Sequence, residues 1–121
     1  MLDRVRAACL ALPETSERLS HGAPAFFTQG KRSFLSYMDD HHGDGRLAIW
    51  CAAPPDMQSL LTDASPEAYF VPPYVGHRGW LGVRLDRGLA WEEIAGLIED
   101  AYLTVAPAKL VSAALDRSAA E

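Results

Sequence analysis

Two cysteines in 121 residues, Cys9 and Cys51, are too few for a disulfide-stapled scaffold. Both sit in apolar periodic segments and read as reduced core residues of a cytosolic protein. No run of about 18 apolar residues occurs, so no membrane span is expected. The first stretch, MLDRVRAACLALPE, carries an acid and two arginines inside its apolar pattern, which argues against a secretory signal. Basic charge is not in excess: the net charge is −5. That argues mildly against strong non-specific DNA binding, which depends on neutralising phosphates. Glycines are present, but with neither dinucleotide nor P-loop spacing. Serines and histidines occur without a pattern that sets a nucleophile beside a base, and geometry rather than residue presence identifies such a site. An enzyme is therefore not expected, no catalytic residue is assigned and no cofactor is implied. Repeats, linkers and low-complexity segments are also absent.

What the chain does have is the length and apolar content of one domain with a real core. Its acidity is unevenly placed. Residues 88–121 carry six acidic against two basic side chains, whereas residues 18–87 carry seven of each. A local basic patch on the neutral middle is compatible with that distribution.

Periodicity supplies the elements. Leu2, Val5, Cys9 and Leu12 fall at helical spacing, and Pro13 ends that helix. Short strands are expected over residues 17–20, 25–28, 32–38 and 46–52, with turns at His21-Gly22 and Gln29-Gly30. Within residues 32–38 a simple alternation sets Phe34, Ser36 and Met38 against Leu35 and Tyr37. Asp39 to Gly45 reads as a polar hairpin loop. A short helix is expected over residues 55–63, then a strand over 68–71 before Pro72-Pro73. Trp91, Ile94, Leu97 or Ile98, Ala101 and Val105 mark the longest helix. Pro107 starts a final helical segment with Leu110, Val111, Ala114 and Leu115 inward, and residues 117–121 read as a frayed tail.

The most informative stretch is FVPPYVGHRGWLGVRLD, residues 70–86. Along residues 80–85, Leu81, Val83 and Leu85 alternate with Trp80, Gly82 and Arg84, the period of a strand buried on one face. The second face carries an aromatic, a glycine and a guanidinium, an open and shallow surface that could meet a partner. The predicted fold class is α+β: one domain over residues 1–121, an antiparallel sheet with the terminal helices on one face.

The segments LPETSE, HGAPAFF, GKRSF, PPYVGHRGWLGVRLD and WEEIAGLIEDAYLTVAPAKL, in that order, resemble the MmcQ/YjbR family of small bacterial proteins. The resemblance implies a fold like that of CyaY, the bacterial frataxin, and DNA binding. It brings no catalytic residue.

The candidate nucleic-acid-binding set is Lys31, Arg32, Arg46, Trp50, His77, Arg78, Trp80, Arg84 and Arg87. Basic groups would contact phosphates and aromatics would contact bases or a groove. The competing reading is a solvated sheet face with aromatics covering the ends of the core. A protein partner on the same face is the alternative to DNA, and a monomer is expected. Gly76-His77-Arg78-Gly79 is an anion-binding turn or a plain strand-entry turn. Asp39, Asp40, His41, His42 and Asp44 have ligand chemistry, but neighbours in one loop seldom converge on one ion, so no metal site is assigned. Glu92, Glu93, Glu99 and Asp100 are read as a solvated helix face.

Overall fold

Leu81 and Val83 are fully buried, and the residues they pair with fix which side of the sheet is covered. In a computed structural model that describes the backbone of residues 1–120 and the side chains of residues 1–116, strand β6 (Leu81–Arg84) lies antiparallel to β4 (Leu47–Cys51). Val83 pairs with Ile49 and Leu81 with Cys51. Directly paired residues share a face. The same face therefore continues through Tyr37 and Leu35 of β3 (Arg32–Asp39), which oppose Ile49 and Cys51, and through Phe26 of β2 (Ala23–Thr28), which opposes Leu35. The strand β1 (Thr15–Ser20) and the two-residue β5 (Tyr69–Phe70) form the edges of a six-stranded antiparallel sheet in the order β1-β2-β3-β4-β6-β5.

The buried face meets helix α1 (Leu2–Leu10) through Val5 and Cys9, and α3 (Trp91–Val105) through Ile94, Leu97, Ile98, Ala101 and Tyr102. These are the stripes that the helical spacing marks out. Side chains such as Phe26, Ile49 and Ile98 contribute roughly 1.5–3 kcal/mol each by leaving water. The Tyr102 hydroxyl donates to the Pro13 carbonyl at 2.8 Å, closing the chain end of α1 over α3. Arg6 of α1 binds Glu17 of β1 through both carboxylate oxygens, at 2.6 and 2.9 Å. Pro107 forces Ala106 into the extended region, which ends α3, and α4 (Ala108–Ala120) follows with Leu110 and Ala114 in the core. Of the tail assigned to residues 117–121, Glu121 and the side chains of 117–120 lie outside the described residues. Burial raises both thiols above their ordinary value, Cys51 being pushed up to about 12, so both stay protonated core groups.

Three local departures from simple periodicity matter. Thr15 starts β1 two residues earlier than the apolar pattern suggests, its hydroxyl donating to the Cys9 and Leu12 carbonyls. Helix α2 (Met57–Ala64) starts at Met57 rather than Pro55, because Asp56 is left-handed with φ 72°. In β3 the pairing steps from Phe26↔Leu35 to Phe27↔Ser33, so Phe34 is the extra residue of a bulge. Phe34 then points inward beside Leu35 and meets the Tyr102 ring edge-on at 5.7 Å. The expected alternation placed Phe34 on the opposite face. The bulge overturns it and leaves Ser33 and Ser36 together on the outer face.

Candidate functional site: a recess on the outer sheet face

The outer face is built by the complementary positions. Ser36 opposes Trp50, which opposes Gly82, and Met38 opposes Ala48, which opposes Arg84. Trp80, just before β6, shares this side with Gly82 and Arg84 as the alternation predicts. The face is nevertheless neither open nor shallow. Trp50 is only 5% exposed and Trp80 4%, although they lie on the side of the sheet away from α1 and α3. Loops cover them instead. The β3–β4 loop brings His41 onto Trp50, with ring centroids 4.8 Å apart. The β5–β6 segment brings Tyr74 within 6.0 Å of His41. That segment is tied to α2 by Gln58, whose amide donates to the carbonyls of Gly76 and Trp80 at 2.8 and 2.6 Å.

Between these loops lies a recess of about 530 Å³. Ser33, Ser36, Met38 and Trp50 form its floor on the sheet. Ser20 and His21 close one side, His41 and His42 a second, and Tyr74, Val75 and Trp80 a third. None of these lining residues is an Asp, Glu, Lys or Arg.

Glycine at position 82 has a specific cause. A Cβ built there would lie 2.4 Å from the Phe70 ring, which rests on the strand. The shallow gap expected at Gly82 is filled by that ring. The guanidinium of Arg46 stacks on Phe70 at 4.0 Å. Arg78 lies over Trp80 at 5.2 Å, and Arg18 over Phe27 at 3.6 Å. The outer face thus carries three arginines laid on rings, an arrangement that holds a planar cation near the surface.

The sequence-derived set is dispersed around this geometry. Trp50 and Trp80 come together in the recess, and Arg46 and Arg78 flank the outer face. Arg84 also belongs to this face, but its guanidinium is engaged by Asp86 at 3.0 and 3.1 Å and its side chain is 17% exposed. Asp86 raises the Arg84 pKa chiefly by that hydrogen bond, and the Asp86 carboxyl is lowered in return. Lys31 lies exposed in the β2–β3 turn, and Arg32 opposes Thr28, on the helix-side parity of β3. His77 and Arg87 are exposed on separate loops. Arg18, Ser33 and Tyr74 escape sequence reasoning, which meets His41 only as a residue of ligand chemistry and Ser36 only as a position on the face opposite Leu35 and Tyr37. Only the alternation of β1 could have pointed to Arg18, and no local signal announces which loop folds over the sheet.

The polar loop does not gather ligands. Asp40 accepts the Gly45 N–H at 2.7 Å and Asp44 the Arg46 N–H at 2.9 Å, while His41 lies against Trp50. Among the described residues no group of three or more His, Cys, Asp or Glu could hold a metal ion. On α3, Glu93 accepts the Tyr69 hydroxyl at 2.6 Å, and Glu92 is exposed. Burial first, and then this bond, raises the Tyr69 pKa. No helix among the described residues is long and apolar enough to cross a membrane.

Three comparisons bear on this architecture. Among curated proteins none matches the chain. The crystal structure of the Deinococcus radiodurans protein DR2400, of the domain family DUF419, superposes with a TM-score of 0.75 at 20% identity, covering 97% of this chain and 86% of that one. At that identity the likeness is one of fold: an antiparallel sheet with helices on one face. The family profile of YjbR matches residues 10–104, from the last turn of α1 almost to the end of α3. The match takes in every strand of the sheet and all three sides of the recess, so this chain belongs to the YjbR family.

Proposed function

We propose that this protein is a non-enzymatic binding module that takes nucleic acid on the outer face of its sheet, with DNA as the first ligand to test. The observation that carries the reading is the pairing of an aromatic recess with the three ring-stacked arginines Arg18, Arg46 and Arg78 on the same face. Bases stack on aromatic side chains, and arginines follow a phosphate backbone. A recess with aromatic walls favours an unstacked strand over a duplex, whose bases stay inside the helix. A protein partner is the second reading, supported by the exposed Leu60, Val71 and Tyr74 around α2 and the β5–β6 segment.

The deciding measurement is a titration with single-stranded and duplex DNA at two salt concentrations. Three phosphate contacts to a single strand correspond to a slope of log K against log salt of about −2. Tighter binding to the single strand with a slope near that value is the expected result. No binding to either form at low salt removes the nucleic-acid reading, and binding to an aromatic-rich protein surface with little salt dependence replaces it.

A further inference from the structure

Two polar atoms of the recess lining are buried without a hydrogen-bond partner: Nε1 of Trp50 and Nε2 of His41. Native proteins rarely leave such groups unpaired, and each instance calls for an explanation. The two residues are neighbours, His41 lying across Trp50, and both line the same recess.

The chemistry of the lining specifies a guest. Trp50, Trp80, Tyr74 and His41 present rings from three separate parts of the chain, which favours a flat aromatic body. Ser20, Ser33 and Ser36 bring hydroxyls that both donate and accept, so the guest has polar edges. The lining holds no carboxylate, ammonium or guanidinium, which favours an uncharged ring over an anion or a cation. An indole N–H can only donate, so Trp50 calls for an acceptor on that ring. A volume of about 530 Å³ suits a ligand of small-molecule size.

We propose that the recess is a nucleobase site, in which the ring lies among Trp50, Trp80 and Tyr74 and a ring nitrogen or carbonyl accepts the Trp50 Nε1–H. Purines and pyrimidines all carry such acceptors on their edges. The proposal rests on the nucleic-acid reading above for one of its two sources, a base unstacked from a strand. The other source is a free nucleoside.

Entry requires a movement. In the present arrangement His41 covers Trp50, and the orphaned indole nitrogen is out of reach of water. A guest reaches it when the imidazole swings away. His41 stands between two left-handed residues, Asp40 at φ 55° and His42 at φ 49°. Asp and His adopt that conformation more readily than most residues, so this backbone is held with little strain while the side chain moves.

The test uses the full chain labelled with ¹⁵N, following the Trp50 indole N–H resonance, which Trp50→Phe assigns by its loss. Adenosine, cytidine and thymidine are titrated separately, then an oligothymidylate, with inorganic phosphate as a control for anions alone. The expected result is a progressive shift of the Trp50 resonance with at least one nucleoside and none with phosphate. Trp50→Phe keeps a ring and deletes the donor, and should weaken nucleoside binding about three- to tenfold, the worth of one hydrogen bond. Ser36→Leu fills the floor opposite Trp50 and should abolish nucleoside binding while the spectrum stays folded. If Trp50→Phe does not fold, Trp80→Phe and Trp91→Phe assign the Trp50 resonance by elimination, and the wild-type titration and Ser36→Leu still decide.

The outcomes separate the two proposals. A shift with nucleoside but no binding of the oligonucleotide supports the recess site with a free nucleobase as its guest, and overturns the nucleic-acid reading alone. Oligonucleotide binding that leaves the Trp50 resonance in place overturns the recess site and keeps the sheet face as a nucleic-acid surface. No shift with any nucleoside or with the oligonucleotide overturns the recess site. So does nucleoside binding that Ser36→Leu leaves unchanged.

Discussion

Gly82→Ala tests the packing of the outer face at its most constrained point. The added Cβ would sit 2.4, 2.5 and 2.6 Å from three atoms of the Phe70 ring. Carbon atoms in contact prefer about 3.5–4.0 Å, so the ring has to retreat by about 1 Å. It has little room to do so. Phe70 belongs to β5 and pairs directly with Gly82, and Arg46 stacks on the ring at 4.0 Å. Overpacking of this kind costs about 1–3 kcal/mol. Loss of the guanidinium contact adds about 0.5–1 kcal/mol, and the stiffer unfolded chain returns about 0.4–1 kcal/mol. The net is a loss of roughly 1–3 kcal/mol, or a melting temperature lower by about 4–12 °C for a domain of this size. Gly96 is the internal control. It lies exposed within α3, and a methyl group added there would meet nothing within 4 Å beyond its own helix backbone, so Gly96→Ala should stabilise by about 0.5–1 kcal/mol. Thermal unfolding followed by circular dichroism reads both variants in one buffer. In a Phe70→Ala background the cost of Gly82→Ala should fall below about 0.5 kcal/mol, because the clash is gone. Equal losses at Gly82 and Gly96, or no rescue by Phe70→Ala, would refute the steric account.

Two further outcomes follow from the ion pairs. Asp86→Ala releases Arg84 from its two hydrogen bonds and should tighten single-strand binding, steepening the salt slope by about 0.7 for one added phosphate contact; fluorescence anisotropy that gives the wild-type slope would show that Arg84 is not at the surface used. Glu17 is held below its ordinary value of 4.5, chiefly by its hydrogen bonds with Arg6, so the unfolded chain binds the proton more readily than the folded one. The resulting stability is present above about pH 4.5 and is lost as pH falls through the lower folded value. Urea midpoints measured from pH 7 to pH 3 should therefore fall less for Glu17→Gln than for the wild type, and parallel curves would remove this pair from the acid response.

The helix-facing half of the molecule was legible because it obeys a period. Leu81 and Val83 alternate in a strand flanked on both sides, and the stripe through Ile94, Ile98 and Ala101 repeats with the turn of α3. Such patterns report which side of an element is apolar. They are silent about an inserted residue, which is why Phe34 fell on the wrong face. They are equally silent about what folds over the other side. Trp50 and Trp80 read as exposed aromatics because alternation placed them opposite the core. In the fold they are buried beneath loops that carry His41 and Tyr74, nearby in the chain but in segments without periodicity. The ion pair of Arg84 with Asp86 spans only two residues, and parity itself sets i and i+2 on one face. Arg84 reads as free because the expected strand stops at residue 85, before Asp86.

Net charge needs the same correction for position. A value of −5 weighs against an anionic ligand only if the negative groups lie within electrostatic reach of the site. Of the acids of the C-terminal segment, Glu92, Glu93, Glu99 and Asp100 belong to α3 and Asp116 to α4, and Glu92 and Glu93 are exposed at the start of α3, on the opposite side of the sheet from the recess. A helix with its side chains is about 10–12 Å across. At physiological ionic strength the screening length is about 8 Å. The sheet and helix together therefore separate those carboxylates from the outer face by more than one screening length. Arg18, Arg46 and Arg78 are on the near side, each held against a ring. On the near side Asp86 is paired with Arg84 and Asp44 acts on the same guanidinium. With those two acids facing Arg84, an anionic strand approaching the face meets Arg18, Arg46 and Arg78 and feels the α3 acids weakly, so an acidic protein can still present a surface on which a phosphate backbone is the favoured neighbour.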